Sequence, residues 1–341
     1  MNKKTFLART SILKHPNGTC ISTPLLVPSF SSKGFLVNSK GESELNKIYK
    51  IASEYITDSM LISAFDIFYG YIKDINYTTS EITFVDSGGY ETSKLYDLST
   101  IMIPEKNKKK WTEPQLKDVY NGIGNEFSVV LVNYDHPQKR IPIDQQIKEA
   151  VLFFNDFSGH LHDLLIKPET NDQDYIKIDS ILSNIEGMKG FDIIGFTEKE
   201  LGSSVLKRLI NISKIRMAFD EHGLTAPLHI YGSLDPITSI LYFIAGAEIF
   251  DGVTWLRYGF LDGMACYYSN YGIRSRHIDK DEEVVKIFMM QENISYLADM
   301  KNRMETFLLN GDYGVFGKNN KLSEVLQNSI NLLKAKHGRG K

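Results

Sequence analysis

The sequence contains very little cysteine, which excludes several classes of structure. Among its 341 residues only Cys20 and Cys266 carry thiols. Two thiols cannot form a disulfide framework, and they cannot supply a zinc site built mainly on thiolates. Chains of this kind are typical of a reducing compartment, so we expect a cytoplasmic protein.

Long apolar runs and a large excess of one charge are also missing. No segment reaches the ~20 apolar residues of a membrane span, and the basic start Met1–Lys14 has no apolar core of a signal peptide. We therefore expect no membrane partner. A net charge of -3 gives no overall attraction for nucleic acid, so such a partner requires local basic patches. The candidates are Lys106–Lys110 and the tail Lys334–Lys341.

The chain does contain a repeated alternation of apolar runs and helical segments. Short runs rich in Val, Ile, Leu and Phe recur eight times and predict strands. The runs are Leu25–Phe30, Met60–Ile67, Ile82–Asp86, Ser128–Asp135, Asp163–Ile166, Asp192–Phe196, Leu228–Gly232 and Ile249–Thr254. Helical segments between them are Glu42–Tyr55, Gln115–Ile123, Asp144–Asn155, Ser204–Glu221 and Pro236–Ala245. This alternation predicts an α/β fold, a (β/α)8 TIM barrel with an outer ring of helices.

The predicted barrel domain covers residues 1–280, and residues 281–341 form a C-terminal helical extension packed on it. The extension contains two amphipathic segments, Asp281–Leu309 and Leu322–Ala335. A doubly wound open sheet is the alternative, but it normally carries a phosphate loop after its first strand. Ser29–Gly34 matches neither the dinucleotide fingerprint nor a P-loop. We therefore prefer the barrel and expect no cofactor. The charged stretch Pro104–Trp111 is predicted to extend over the barrel mouth.

Acidic residues end several predicted strands, where a parallel barrel places its reactive groups. Asp86 ends the third run, Asp135 the fourth, and Asp251 interrupts the otherwise apolar eighth. A carboxylate inside an apolar strand is costly without a partner or a role. We expect these three aspartates to converge on one pocket. The alternatives are ordinary turns for Asp86 and Asp135, and a structural ion pair with Arg257 for Asp251.

Histidines provide a possible metal site, but their positions argue against it. His160 and His162 form a His-x-His pair that suits a metal, yet they precede the apolar part of the fifth run. This order predicts that they lie at the bottom of the barrel, away from the strand ends. His229, inside the seventh run, is predicted to be a core histidine with a satisfied ring. We expect no metal site.

Several short motifs occur in a particular order along the chain. They are Thr23-Pro24 with Pro28, Asp86-Ser87-Gly88-Gly89-Tyr90, Asn133-Tyr134-Asp135, Ile194-Gly195-Phe196, Asp235-Pro236, Phe250-Asp251-Gly252-Val253 with Arg257, and Asn293. In this order they resemble motifs of the tRNA-guanine transglycosylases and of their paralogues that insert 7-deazaguanines into DNA. That family has a barrel fold, in agreement with the strand count.

The resemblance implies roles for two of the aspartates. Asp251 would attack the anomeric carbon of a guanosine nucleotide, form a covalent glycosyl-enzyme and release guanine. Asp86 would be the general acid and base that takes the proton of the incoming 7-deazaguanine. A nucleophile must stay ionised, and Arg257 is the candidate for the cationic neighbour that Asp251 needs. The target base must be single-stranded or flipped out of the helix.

The resemblance also implies a base-binding pocket. Asp135 would accept hydrogen bonds from the donor edge of the purine, and Ser87, Gly89 and the backbone of Gly195 would complete the pocket. Nucleic acid and a free 7-deazaguanine base are the expected partners. Accessory proteins or a homodimer remain open.

The chain departs from the tRNA enzymes in two places. Those enzymes hold zinc with three cysteines and a histidine before the terminal helices, whereas this chain has only Cys266 there and Glu292 in place of the histidine. We expect no structural zinc, and we favour DNA over tRNA as substrate. Lys167-Pro168 stands where the tRNA enzymes have a Gln-Gly that contacts the base, and Thr197–Gly202 replaces a loop of small residues. Base specificity is therefore open.

Three other functions remain as alternatives. One is a tRNA-guanine transglycosylase. Another is a barrel glycosidase in which Asp86 and Asp251 are the paired carboxylates. The third is a non-catalytic subunit that binds an active partner, although three aspartates at the strand ends argue against it.

Overall fold

Eight parallel strands close into a barrel in the computed structural model, which describes residues 5–38, 42–93, 109–135, 139–317 and 320–338. A two-stranded sheet precedes them, formed by β1 (Ile12–Lys14) and β2 (Cys20–Ser22). The barrel strands are β3 (Leu25–Phe30), β4 (Ser59–Ser63), β5 (Ile82–Asp86), β6 (Val129–Val132), β7 (Leu161–Ile166), β8 (Ile193–Thr197), β9 (Leu228–Tyr231) and β10 (Ile249–Gly252). β10 pairs with β3, so the sheet is closed. The predicted TIM barrel is confirmed and the open sheet is excluded.

Helices cover the outside of the barrel. Those between the strands are α1 (Glu44–Ala52), α2 (Ala64–Phe68), α3 (Gly89–Thr92), α4 (Glu113–Asn121), α5 (Ile143–Phe154), α6 (Ile178–Leu182), α7 (Ile185–Met188), α8 (Val205–Glu221) and α9 (Thr238–Ile244). Because helices cover one face of each strand and the barrel interior covers the other, the strands are buried along nearly their whole length.

Two strands end three or more residues earlier than their apolar runs predict. The run Met60–Ile67 is a strand only to Ser63 and continues as α2, because apolar composition alone does not separate a buried strand from a buried helix. β6 ends at Val132 because the Asn133 side chain takes the place of backbone hydrogen bonds to β7. Its Oδ1 accepts from the Leu165 N–H at 2.6 Å, and its Nδ2 donates to the Leu165 carbonyl at 3.3 Å.

Alternation along each strand divides the core into two parts. Inward residues such as Leu25, Ile82 and Ile249 fill the barrel, while outward residues pack against the helices. The hairpin of β1 and β2 closes the N-terminal end of the barrel, where Leu13 and Ile21 join the interior core. The C-terminal end of the barrel is not covered by this hairpin.

The C-terminal segment packs on the barrel through a shared core. It consists of a hairpin, β11 (Gly259–Leu261) and β12 (Met264–Cys266), followed by α10 (Tyr268–Arg274), α11 (Glu282–Asn310) and α12 (Asn320–Gly338). Asn293 on α11 is buried, donates to the carbonyls of Trp255 and Tyr258 at 2.7 Å, and accepts from the Phe260 N–H. This contact fixes the segment after β10. None of the described helices is long and apolar enough to cross a membrane.

Candidate active site

Two of the predicted aspartates face the interior of the barrel at its C-terminal end. Asp86 is two and four positions after Phe84 and Ile82, and Asp251 is two positions after Ile249. All three of these hydrophobic residues point inward, and side chains two apart on a strand share a face. Asp86 is 9% exposed and Asp251 6%, so each carboxylate is reached only through the mouth of the barrel.

Three donors surround the Asp251 carboxylate. The Ser29 hydroxyl donates to Oδ2 at 2.8 Å, and the backbone N–H of Gly232 donates to Oδ1 at 2.9 Å. His229 Nε2 lies 3.3 Å from the same Oδ1, within ion-pair range but without the alignment of a hydrogen bond. These contacts come from β3 and from β9 with the residue that follows it, the two strands that flank β10. They fix the orientation of the Asp251 side chain.

The prediction that Arg257 is the cationic neighbour of Asp251 is wrong in this structure. Arg257 follows a 3₁₀ turn, Thr254–Leu256. Its Nη2 donates to the backbone carbonyl of Lys33 at 2.9 Å. Closeness in sequence suggested a pair with Asp251, but the Arg257 guanidinium bonds to the segment after β3 instead. Among the described residues, His229 takes the place expected for Arg257.

His229 belongs to a buried polar group that the sequence did not indicate. Its Nδ1 lies 2.7 Å from Asp163 Oδ2, which also accepts from the Tyr231 hydroxyl at 2.8 Å. Burial opposes a charge on the imidazole, but Asp163 and then Asp251 outweigh it and raise the pKa of His229 to about 9. His229 is a core histidine as predicted, and its ring also connects Asp163 to Asp251.

Asp86 has the properties of a proton donor near neutral pH. Burial, then the charges of Glu91 and Asp251, raise its pKa to about 7, while the Gly88 N–H at 3.4 Å from Oδ2 partly opposes the shift. Catalytic groups that exchange protons work best with a pKa near the working pH.

More buried acids lie behind Asp86 and were missed by sequence reasoning. Glu91 on α3 accepts from the hydroxyls of Ser31 and Ser63, and Asp66 on α2 accepts from the Ser32 N–H and hydroxyl. Burial raises the pKa of both carboxyls. Serine hydroxyls after the first and second barrel strands therefore hold a second layer of acids behind the mouth.

Asp135 lies at the mouth but is already paired with two cations. Arg140 Nη1 is 2.7 Å from its Oδ1, and Lys167 Nζ is 3.6 Å from its Oδ2. Lys167 also contacts Glu200 Oε2 and Thr197 Oγ1, each at 2.9 Å. Burial disfavours the charge of Lys167, but Asp135 and Glu200 raise its pKa overall. Lys167 and Glu200 thus enter the site where sequence reasoning saw only a departure.

A cavity of about 110 Å³ adjoins Asp135 and is lined by residues after β6 and β7 and by residues of α5. Arg140 and Lys167 contribute to its wall, but Asp86 and Asp251 do not. Asp135 therefore faces both this cavity and the Gly89 loop. A Cβ added at Gly89 would lie 2.8 Å from Asp135 Oδ2, so the absence of a side chain there lets the two strand ends approach.

The Ser87–Gly88 turn is fixed from behind by aromatic side chains. Trp111 Nε1 donates to the Ser87 carbonyl at 2.7 Å. Gly88 has a φ of +80°, and a Cβ there would lie 2.8 Å from both Phe65 Cβ and Trp111 Nε1. Both the backbone conformation and the space require glycine. The Ser87 hydroxyl is buried and has no hydrogen-bond partner within the described part of the chain.

Gly195 lies on β8, beside the polar group formed by Asp163, His229 and Tyr231. An added Cβ would lie 2.5 Å from Tyr231 Cε2 and 2.8 Å from Asp163 Oδ1. The expected contact of its backbone with a base stays a prediction. Its clear structural role is to leave room for the Tyr231 ring.

Gly195→Ala is therefore expected to destabilise the barrel by about 1–3 kcal/mol, because an extra methyl group in a packed core forces its neighbours to move. Gly190→Ala is the matched control, since a Cβ there meets nothing within 4 Å. Urea unfolding of both variants measures the difference. Equal midpoints would show that the space beside Tyr231 is not restrictive.

The histidines at the other end of the barrel lie where the sequence placed them. His162 stacks on Phe154 with ring centroids 4.3 Å apart, and His160 faces His15 at the start of the strands. Within the described ranges, no three His, Cys, Asp or Glu side chains come together as a metal site. Residues 106–108 of the basic run, much of Pro104–Trp111 and residues 339–341 of the tail lie outside the described residues.

Comparison of the chain with protein-family models and with curated proteins finds no match. Function is therefore argued from the barrel and from the chemistry at its mouth.

Proposed function

We propose that the protein is a guanine transglycosylase, which exchanges guanine in nucleic acid for a 7-deazaguanine base through a covalent aspartyl-glycosyl intermediate. One observation carries the proposal. Asp251 is held as an oriented carboxylate at the barrel mouth, and the neighbouring Asp86 has a pKa raised to about 7 by burial, Glu91 and Asp251. These two carboxylates suit the roles of nucleophile and proton carrier, and this supports the proposal.

In the first step, an Asp251 oxygen attacks the anomeric carbon of a guanosine nucleotide and forms a C–O bond. The bond from this carbon to N9 of guanine breaks, and its electron pair goes to N9. Asp86 in its acid form donates a proton to the leaving base. Guanine departs neutral, Asp86 becomes a carboxylate, and the sugar is bound to Asp251 as an ester.

In the second step, a 7-deazaguanine occupies the position that guanine left. The Asp86 carboxylate removes the proton from the ring nitrogen of the incoming base, and that nitrogen attacks the anomeric carbon. The C–O bond to Asp251 breaks, and the carboxylate is restored. Asp86 regains the proton that it gave to guanine, so no other acid or base is consumed.

Base recognition is assigned to Asp135 together with Lys167. Guanine presents two neighbouring donors, N1–H and the 2-amino group, beside the O6 acceptor. A carboxylate oxygen and an ammonium nitrogen 3.6 Å apart form a complementary acceptor and donor. Adenine presents the opposite arrangement at the corresponding positions, so the pair favours guanine-type bases. Glu200 and Thr197 hold Lys167 in place.

Lys167→Met is expected to raise the KM for free guanine by about 10- to 100-fold, because a hydrogen bond from a charged group contributes about 1.5–3 kcal/mol. Lys139→Met is the matched control. Lys139 lies near the same cavity but is half-exposed and pairs with Glu149. Steady-state base exchange measures KM, and thermal unfolding checks that the variant is folded. An unchanged KM in folded Lys167→Met would exclude the assigned contact.

DNA is the favoured substrate. The segment between β10 and α11 carries one cysteine, Cys266, and so has no cysteine-rich zinc site with which to seat tRNA. Because Asp86 and Asp251 are reached only through the barrel mouth, the target base must leave its stack. Single-stranded DNA satisfies this requirement without a flipping step.

The test is incorporation of radiolabelled guanine, and separately of a 7-deazaguanine, into single-stranded DNA, duplex DNA and tRNA. We expect label in single-stranded DNA and none with Asp251→Asn. Incorporation into tRNA alone would overturn the DNA assignment. Release of reducing sugar without incorporation would overturn base exchange and support a glycosidase.

A further inference from the structure

A chain of polar side chains runs through the barrel interior below Asp251. The Tyr231 hydroxyl donates to Asp163 Oδ2 at 2.8 Å, His229 Nδ1 lies 2.7 Å from the same oxygen, and His229 Nε2 lies 3.3 Å from Asp251 Oδ1. Asp163 and His229 are both fully buried. Solvent therefore screens none of these contacts.

The geometry determines the protonation of the imidazole. Each ring nitrogen of His229 faces a carboxylate oxygen, of Asp163 on one side and of Asp251 on the other. A neutral imidazole has one nitrogen without a proton, and its lone pair would then oppose a carboxylate. The imidazolium, with a proton on both nitrogens, matches both contacts. The pKa raised to about 9 agrees.

The other neighbours of His229 do not offer a competing partner. Tyr231 stacks on its ring with centroids 3.8 Å apart, and Phe84 contacts the ring edge to face at 5.4 Å. Asp86 faces the same interior from β5, and its charge adds to burial and to the charge of Asp163 in raising the pKa of Tyr231. The imidazolium is thus held between Asp163 and Asp251.

The contacts of Asp251 differ between its two oxygens. Oδ1 lies against the Gly232 N–H and the His229 ring, whereas Oδ2, among the described residues, accepts only from the Ser29 hydroxyl. That hydroxyl has a second acceptor within reach, the Val27 carbonyl at 3.5 Å. Ser29 can therefore release Oδ2 without losing every partner. The asymmetry makes Oδ2 the attacking atom and Oδ1 the oxygen that stays held as the ester carbonyl.

We propose that Asp163 and His229 are a buried positioning pair for Asp251, in which Asp163 keeps His229 as an imidazolium and the imidazolium holds Oδ1 so that Oδ2 attacks the sugar. The role at a sugar rests on the proposed function, whereas the imidazolium itself does not. Because Asp163 supplies a second negative charge, His229 stays protonated when Asp251 becomes a neutral ester. The same cation then stabilises the Asp251 carboxylate as it leaves in the second step.

The first test uses no activity. In ¹⁵N-labelled protein, NMR of the histidine side chains reports the protonation of each ring nitrogen. We expect both nitrogens of His229 to be protonated at pH 8, and we expect Asp163→Asn to return the ring to the neutral form at that pH. A neutral His229 ring in the wild-type protein at pH 8 would overturn the proposal, whatever reaction the protein catalyses.

The second test is kinetic. His229→Gln is expected to lower kcat about 10²-fold with little change in KM for the free base, because His229 does not contact the base. Loss of the cation removes the charge that stabilises the departing Asp251 carboxylate in the second step, so the change falls on kcat. His160→Gln is the matched control, a buried histidine at the opposite end of the barrel.

A structural role alone would not lower kcat while leaving KM unchanged. A folded His229→Gln protein with the wild-type kcat would therefore overturn the positioning role. If His229→Gln does not fold, Asp163→Asn removes the charge that keeps the imidazolium and is expected to lower kcat in the same way. Base exchange that fails while NMR shows the imidazolium would count against the proposed function and not against the buried pair.

Discussion

Asp251→Asn is expected to abolish base exchange, with a rate loss of about 10⁴-fold or more, because an amide oxygen does not form the glycosyl ester. The variant should fold normally, since the asparagine oxygen can still accept from the Gly232 N–H and its Nδ2 can donate to the Ser29 hydroxyl oxygen. Loss of the negative charge also leaves the His229 imidazolium with Asp163 alone. The measurement is incorporation of labelled guanine into single-stranded DNA at saturating base.

Asp235→Asn is the matched control for this experiment. Asp235 lies after the C-terminal end of β9, at the same end of the barrel as Asp251. Its Oδ1, however, accepts from the backbone N–H groups of Ile237 and Thr238 at the start of α9. Asparagine caps a helix nearly as well as aspartate, so the control should retain wild-type activity. Equal loss in both variants would show that the effect arises from folding, and retained exchange in Asp251→Asn would rule out Asp251 as the nucleophile.

Asp86→Asn is expected to lower exchange by about 10²- to 10⁴-fold, which is the usual contribution of a general acid and base. The acid form of wild-type Asp86 is lost as the pH rises above about 7. The first step, which needs this acid, should therefore slow on the alkaline side. Single-turnover release of guanine from DNA, followed between pH 5.5 and 9, isolates that step. A wild-type rate that stays constant across this range would contradict the assignment.

The same substitution has a predicted effect on stability, with a definite sign. The pKa of Asp86 is raised in the folded protein, by burial first and then by Glu91 and Asp251. Its stabilising contribution is therefore complete below the unfolded pKa of 3.8 and is lost as the pH rises through about 7. Asparagine does not ionise, so the variant does not lose stability in this way as the pH rises. Asp86→Asn should gain stability relative to wild type between pH 4 and 7, by at most about 4 kcal/mol, and the difference should stay level above that.

Urea unfolding at several pH values measures this difference. Asp156→Asn is a suitable control, because Asp156 is exposed and pairs at the surface with Lys117. Parallel stability curves for wild type and Asp86→Asn would show that Asp86 titrates normally and is no proton carrier at neutral pH.

The barrel was predictable from the sequence because each strand is buried on both faces. Runs such as Ile82–Asp86 are apolar along their whole length, and helices of the right length separate most of them. Because alternate residues of a strand face the same side, the sequence also predicts that Asp86 and Asp251 both point into the barrel. The strand ends were less predictable, since Asn133 ends β6 by bonding to Leu165 on the next strand, a contact that no local pattern reports.

The deeper part of the site was missed because its members are far apart in sequence. Asp163 and His229 are 66 residues apart in the chain and are brought together only when β7, β8 and β9 pair in the barrel. A usable signal was present, since Asp163 alternates with Leu161 and Leu165, which face inward, and His229 is two positions before Tyr231. Arg257 was assigned to Asp251 on sequence distance, but its guanidinium bonds to the backbone carbonyl of Lys33 instead.

The central claim is that Asp251 becomes covalently bound to the sugar. The most direct measurement is peptide mass mapping of the adduct formed when the protein is incubated with guanine-containing single-stranded DNA and rapidly denatured. We expect a DNA–protein adduct attached at Asp251, and we expect it to disappear when excess guanine is added before denaturation. Attachment at any other residue, or exchange that proceeds with no adduct at all, would contradict it.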